Sequence, residues 1–176
     1  MLLIIVLFFL LSWIEIPLFY GLKVNLGGFF LPIIVYFYLW VHVDNNRIYS
    51  FFSVMLLGAI YLSLRVFLRS DPILIIFEES IQISLFLSMI ILFMAQNLID
   101  AFSLYLGGYV MGELFFLFYN WGNRQSEFVL GDQLVRDILV FGSFEIWMAW
   151  MLIELFKQWN KQRKIRIWRK RQINGE

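Results

Sequence analysis

Long apolar runs separated by short polar clusters are the dominant pattern of this sequence. A membrane-spanning helix needs about 20 mostly apolar residues, each adding about 1.5 Å of length. Runs of that size cover residues 2–20, 26–43, 48–68 and 138–156, and the run 73–120 is long enough for two helices. The pattern therefore predicts an all-α fold, a polytopic membrane helix bundle with six transmembrane helices.

The run 73–120 needs a turn, which the polar residues at Gln96–Asp100 predict. Asn97 belongs to the residue types that cap helix N-termini, and Asp100 places an acid in the first turn of the following helix. Residues 121–137 form the long polar loop of the sequence, rich in Gly, Asn, Asp and Arg. The last span is expected to begin after that loop.

Composition indicates lipid as the solvent of this chain. Of its 176 residues, 61% are hydrophobic and only 15% are charged, whereas a soluble domain carries about 25% charged residues. There are no cysteines, which excludes disulfides, thiolate metal sites and cysteine nucleophiles. The apolar N-terminus has no charged leader and no small-residue cleavage site, so we interpret it as a retained span.

Charge divides the chain into two parts. Residues 157–176 carry eight Lys/Arg and one Glu, a net charge of +7, while the other residues carry six basic and twelve acidic groups, a net charge of −6. Because basic segments beside spans stay on the cytoplasmic side, we predict residues 1–156 as the transmembrane domain and residues 157–176 as a basic cytoplasmic tail. Six spans then give an N-in/C-in topology.

The tail is also a candidate surface for anionic lipid headgroups, at about 1 kcal/mol for each basic residue near the membrane surface. The positive-inside rule alone explains the charge of the tail. We therefore do not expect a nucleic acid as a partner. The residues expected to contact lipid are Lys161, Arg163, Lys164, Arg166, Arg169, Lys170 and Arg171.

Five glutamates lie inside the apolar runs: Glu15, Glu78, Glu79, Glu113 and Glu145. Counted from the helix end opposite the basic tail, each lies about 7–10 Å deep at 1.5 Å per residue. A charge at the centre of a span costs about 2.5–3.5 kcal/mol, so a shared layer of carboxylates calls for a partner, a proton or a ligand.

Arg65 is the candidate partner, since it lies about 4 Å from the same end of its helix. Glu15 and Glu78 can reach the interface without any specific role. For Glu113 and Glu145 two interpretations stay open, a structural pair with Arg65 or a ligand site.

No sequence motif indicates an enzyme. His-Glu-x-x-His, Gly-x-Ser-x-Gly, the P-loop and the dinucleotide fingerprint are all missing, and His42 is the single histidine. Glu78-Glu79 invites comparison with the CPBP intramembrane proteases, but the arginine that follows in that family is absent. Six spans suggest an S-component of an ECF transporter, yet residues 2–20 contain no alanine for its docking motif. We expect no catalytic residues, no cofactor and no metal.

The apolar start, the polar loop before the last span and the basic tail together resemble the small YphA-type membrane proteins of Bacillus relatives. The resemblance covers the organisation of the whole chain. It implies a multi-pass protein of a bacterial plasma membrane and brings no known activity.

Two functions remain open. In the first, the protein binds or transports a cation or a small cationic solute. Glu113 and Glu145 are then the main ligands, Glu78 and Glu79 line the entrance, and Arg65 balances the charge. In the alternative, the protein is a structural or interaction subunit with a membrane-protein partner and no ligand of its own.

Overall fold

The computed structural model describes residues 10–17, 22–43, 47–71, 73, 75–121 and 128–173. In the last helix the side chains are described as far as Trp159 and again at Lys161. These residues form a mainly helical structure with one small sheet.

Five α-helices and three short strands make up the described part of the chain. The helices are α1 (Leu31–His42), α2 (Arg47–Ser70), α3 (Glu79–Met94), α4 (Leu98–Asn120) and α5 (Gln133–Ile173), and the strands are β1 (Glu15–Pro17), β2 (Leu22–Asn25) and β3 (Phe128–Leu130). A single π-helical turn, Leu26–Phe30, leads into α1.

The helices alternate in direction. Tyr49, near the start of α2, donates a hydrogen bond to the carbonyl of Met94 at the end of α3, over 3.3 Å. At the opposite end, Arg65 near the end of α2 meets Glu113 of α4 and Asp132, which precedes α5. We call this second end of the bundle, where α2 and α4 finish and α3 and α5 begin, the acidic end, and the other the tail end.

The predicted turn between α3 and α4 is confirmed. Helix α4 begins at Leu98 with Asn97 as its N-cap, and the Asn97 side chain accepts a hydrogen bond from the Asp100 backbone N–H over 2.8 Å. Asp100 in turn accepts from the Gln96 backbone N–H over 3.0 Å. This reciprocal arrangement satisfies donors that the first turn of a helix would otherwise leave unpaired.

The predicted helical span 2–20 is wrong at Glu15–Pro17, and residues 1–9 and 18–20 lie outside the described part. Glu15–Pro17 is a strand that pairs antiparallel with β2, with Glu15 opposite Asn25. The Asn25 side chain also donates to the Ser12 carbonyl over 2.8 Å. An apolar run does not reveal such pairing, because it depends on a segment that comes later in the sequence.

The last helix is longer than predicted at both ends. It begins at Gln133 instead of residue 138, because Asp132 caps it by accepting from the Val135 backbone N–H over 2.9 Å. The polar first turn hid this start within the predicted loop. The helix then continues without a break through the basic tail to Ile173.

Three helices among the described residues are long and apolar enough to cross a membrane, and two more are apolar but shorter. The long ones are Arg47–Ser70, Leu98–Asn120 and Gln133–Trp159; the shorter ones are Leu26–His42 and Glu79–Met94. Large apolar side chains such as Phe52, Phe93 and Phe144 are exposed on their outer faces, as lipid contact requires.

Helices α2 and α4 pack tightly through small residues. A Cβ atom added at Gly58 would lie 2.9 Å from Met111 Cβ, and one added at Gly108 would lie 2.7 Å from Leu57 Cβ. At Gly112 an added Cβ would overlap the ring of Tyr61. The glycines of α4 therefore serve packing inside the bundle, where they let two backbones approach closely.

The small sheet fixes where α5 begins. Its strand order is β1-β2-β3, and β2 runs parallel to β3 with Leu22 opposite Phe128. After β3 the chain turns at Gly131, whose φ of +74° favours glycine. A side chain there would overlap the backbone of Gly28. This close contact brings Asp132 to the acidic end of α2 and α4.

Candidate functional site

The most distinctive group of polar side chains is centred on Arg65 and Glu113. Both side chains are fully buried, with 0% exposure, between α2 and α4. Arg65 Nη1 donates to Glu113 Oε1, forming an ion pair. Taking either charge alone into the bundle would cost several kcal/mol, so each is the necessary partner of the other.

Tyr61 and Gly131 complete the environment of the Glu113 carboxylate. The Tyr61 hydroxyl donates to Glu113 Oε1 over 2.7 Å and accepts from Arg65 Nη1 over 3.3 Å. The Gly131 backbone N–H lies 3.5 Å from the other oxygen, Glu113 Oε2. Both carboxylate oxygens therefore face donors that belong to the protein itself.

Asp132 brings a second carboxylate to Arg65. Arg65 Nη2 donates to Asp132 Oδ2 over 3.1 Å, and the Asp132 side chain is 33% exposed. Its other oxygen caps α5, as described above. One guanidinium thus links α2, α4 and the start of α5, using the planar fork of donors that lysine lacks.

An aromatic ring covers the guanidinium group. Arg65 Cζ lies 3.9 Å from the centre of the buried Phe116 ring, and Arg69 Cζ lies 5.1 Å from the same centre. Such cation–π contacts are attractive, and more so away from water. We name the set Arg65, Glu113, Tyr61, Asp132 and Phe116 the arginine cluster.

Glu145 lies in a separate environment. It is partly buried between α5 and α3, where it accepts hydrogen bonds from Ser84 Oγ over 3.2 Å and from Ser88 Oγ over 2.8 Å. Its partners are hydroxyls on α3, whereas those of Glu113 come mainly from α2. The two glutamates predicted as the main ligands of one site thus have different hydrogen-bond partners.

The remaining predicted glutamates lie nearer the surface of the acidic end. Glu15 is exposed on β1, and Glu78 is exposed just before α3. Glu79 is partly buried in the first turn of α3, and its Oε1 atom has no hydrogen-bond partner among the described residues. Of the five, only Glu113 makes an ion pair within the described part of the chain.

Sequence reasoning found Arg65 and Glu113 but missed the rest of the arginine cluster. Tyr61 stands four residues before Arg65 on α2, and Phe116 stands three after Glu113 on α4. Residues at these spacings share one helix face, which was the available signal. The sequence contains no such signal for Asp132, because the small sheet determines where this residue lies relative to Arg65.

Side chains of the types that bind metals are not clustered among the described residues. No group of three or more His, Cys, Asp or Glu side chains in the described ranges could hold a metal ion. His42 is exposed at the tail end, with Nδ1 2.7 Å from the Tyr38 carbonyl oxygen. Of the predicted lipid-contact residues, Lys161 is exposed, while the side chains of the other six lie outside the described part.

Comparison with known proteins agrees with this architecture. The model of the YphA-like integral membrane protein family matches residues 1–173. No curated protein and no solved structure is similar enough to count as a match. Because the family model spans nearly the whole chain, the resemblance inferred from the sequence is confirmed: this protein belongs to the YphA-like integral membrane protein family.

Proposed function

We propose that this protein is a structural or interaction subunit of the membrane, whose arginine cluster fixes the arrangement of its helices. The observation that carries the proposal is the closure of the cluster: the Glu113 carboxylate is fully buried, and its oxygens face Arg65, Tyr61 and Gly131. A carboxylate already satisfied by protein donors offers no open side to a ligand.

The arrangement suits a role in holding helices together. Three chain segments meet at one guanidinium, and each supplies a different group: Tyr61 from α2, Glu113 from α4 and Asp132 from the start of α5. In lipid, packing and polar contacts between helices replace the hydrophobic effect as the source of association. A rigid bundle of this kind would present its outer faces to a membrane-protein partner.

Cation or solute binding through Glu113 and Glu145 has less support. A shared site would need the two carboxylates to face one space, but Glu145 hydrogen-bonds to Ser84 and Ser88 of α3. Arg65 lies between Glu113 and Asp132 and supplies the positive charge that a bound cation would otherwise bring. We therefore assign these groups to structure.

Substitution of the buried pair tests the proposal. Arg65→Gln should lower the free energy of unfolding by about 3–5 kcal/mol, because it leaves Glu113 as an unpaired buried charge. Glu113→Gln should lower it too, but by less, because Arg65 keeps Asp132 as a charged partner. The double variant should lose less than the sum of the two. Arg69→Gln is the matched control: it removes the same charge one turn away, from an exposed side chain that also contacts Phe116.

The measurement is unfolding of the purified protein in nonionic detergent, with and without added cations. The ligand hypothesis predicts the opposite result: Glu113→Gln would keep its stability, and only the wild type would be stabilised by a cation. That outcome would overturn the structural proposal.

Location and topology form part of the same proposal. We place the protein in a bacterial plasma membrane with six spans, both termini in the cytoplasm and no catalytic activity. The helical continuation of α5 carries the basic residues of the tail, and we propose anionic headgroups as their partner. The support is the charge of +7 directly after a span.

A further inference from the structure

Glu145 is a carboxylate in the apolar part of α5 that the arginine cluster does not use. The apolar run 138–156 surrounds it in the sequence, and it lies about 10 Å from the start and about 16 Å from the end of that run. Ionisable residues at such depth face the bundle interior, a water-filled cavity or a charged partner. Glu145 is only partly buried, so the bundle does not enclose it.

The hydrogen bonds of Glu145 leave part of its carboxylate without a donor. Ser84 Oγ donates to Oε1 and Ser88 Oγ donates to Oε2. Ser84 Oγ also lies 3.0 Å from the Ile81 carbonyl oxygen of its own helix. Ser88 Oγ likewise lies 3.1 Å from the Leu85 carbonyl oxygen. A hydroxyl has one proton to donate, whereas an ionised carboxylate accepts at about four positions, so Glu145 can accept from a further donor.

This chain brings no cation to the depth of Glu145. Within the described ranges Glu145 takes part in no ion pair. Arg65 is the one basic residue of the sequence that lies inside an apolar run, and it is fully buried in its pair with Glu113. A second copy of the chain would therefore supply no partner charge, which favours a different protein.

The outer surface around Glu145 is apolar. Phe141 and Met148, one turn away on α5, are exposed. On α3 the residues that follow the two serines, Leu85 and Met89, are exposed as well. We name the strip between α3 and α5 that these four side chains flank the Glu145 groove. Transmembrane helices pack on such surfaces, and a polar contact within them adds to the attraction.

We propose that the Glu145 groove binds a transmembrane helix of another protein, one that carries a single Lys or Arg within the membrane. The cation of that helix neutralises Glu145 and donates the hydrogen bonds that the serines cannot. A buried ion pair is favourable only when further hydrogen bonds satisfy its partners, and Ser84 and Ser88 supply these to the carboxylate. The inference rests on the proposed function, because it names the partner of an interaction subunit.

A synthetic transmembrane peptide is the probe for this groove. It consists of about 20 leucine and alanine residues with one lysine at the centre, whose long stem lets the ammonium group reach different depths. Energy transfer in phosphatidylcholine vesicles, from a dye on Gln162→Cys of the full chain to a dye on the peptide, measures association. The chain should bind the lysine peptide about ten-fold more tightly than a peptide with leucine at that position.

Substitution of the carboxylate tests whether Glu145 causes this preference. Glu145→Gln should bind the lysine and leucine peptides equally. Glu154→Gln is the matched control, because it removes the same charge from an exposed residue of the same helix. It should keep the preference for the lysine peptide.

Obstruction of the groove gives a second test that leaves the carboxylate in place. Leu85→Trp adds a bulky apolar ring beside the groove and should weaken binding of the lysine peptide several-fold. Leu56→Trp on α2 is the matched control, because Leu56 is 53% exposed and Leu85 is 52% exposed. It should bind the peptide as the unsubstituted chain does.

Equal binding of the two peptides, a lysine preference that persists in Glu145→Gln, or equal weakening by Leu56→Trp would each overturn the inference. Self-association of the chain that disappears in Glu145→Gln would overturn it as well, since the partner would then be a second copy. Arg65 and Glu113 stay unchanged in these measurements, and unfolding of their variants involves no peptide. Failure of this inference can therefore be told apart from failure of the proposed function.

Discussion

At the scale of single residues, five glutamates that the sequence placed at nearly one depth have different roles in the fold. Depth along a helix follows from counting residues, so the sequence could find the layer. The partner of each carboxylate depends on which helix faces it. Glu113 meets Arg65 and Tyr61, Glu145 meets two serines, and Glu15 is not in a helix at all.

The contrast between Glu113 and Glu145 leads to a prediction about the second of them. Glu145→Gln keeps one of the two oxygens that accept from Ser84 and Ser88, and its amide N–H can donate to the other serine hydroxyl. It also removes a charge that has no cationic partner among the described residues. We expect the free energy of unfolding to change by less than about 1 kcal/mol, or to rise slightly, since burying an unpaired charge is costly. Unfolding of the purified variant and the wild type in detergent measures this change in free energy.

Removal of the hydroxyls provides the control for Glu145. Ser88→Ala should destabilise the wild type, because it leaves the carboxylate with fewer donors. The same substitution should cost less in the Glu145→Gln background, where no charge needs solvation. If Glu145→Gln proved as harmful as Glu113→Gln, Glu145 would have to be part of an ion pair.

At the scale of elements, apolar runs predicted the helices well but not their ends. The turn at Gln96–Asp100 was predicted correctly because capping is local: Asn97 and Asp100 bond to backbone groups three or four residues away. The strand Glu15–Pro17 was missed because it pairs with a segment that comes later in the sequence. The start of α5 at Gln133 was missed because its polar first turn lies outside the apolar run. Non-local pairing leaves no signature in hydropathy.

The continuous helix α5 predicts which part of the tail meets lipid. Its 41 residues span about 62 Å at 1.5 Å each, against a hydrocarbon core of about 30 Å. A straight helix would carry Ile173 about 21 Å beyond Trp159, farther than the screening length of about 8–10 Å. Lys161 should therefore interact with anionic headgroups more strongly than Arg171.

Fluorescent labels on single cysteines can test this arrangement, since the chain has no cysteine of its own. In nanodiscs with anionic lipid and a quencher at the headgroups, a label at Gln162→Cys should be quenched more than one at Gln172→Cys. A label in the loop at Gln96→Cys, at the same end of the bundle, serves as the interfacial reference. Equal quenching at both tail positions would mean that the tail lies along the membrane surface.

At the scale of the whole molecule, the fold separates charge between its two ends. The acidic end holds the arginine cluster, and the other end continues into the basic helix. Family membership and three helices of spanning length place the protein in a membrane. From the positive-inside rule we expect the acidic end to lie on the outer side.

Orientation gives the last prediction, which single cysteines can also test. In intact cells, an impermeant thiol reagent should label Gln133→Cys, at the acidic end, from outside. Gln96→Cys and Lys161→Cys, at the tail end, should react only after permeabilisation. A reporter fused to the N-terminus should lie in the cytoplasm if the chain crosses the membrane six times. A reporter found outside the cell would indicate five crossings. Labelling of Gln96→Cys from outside intact cells would show the opposite orientation, and the positive-inside argument from the basic tail would then be wrong.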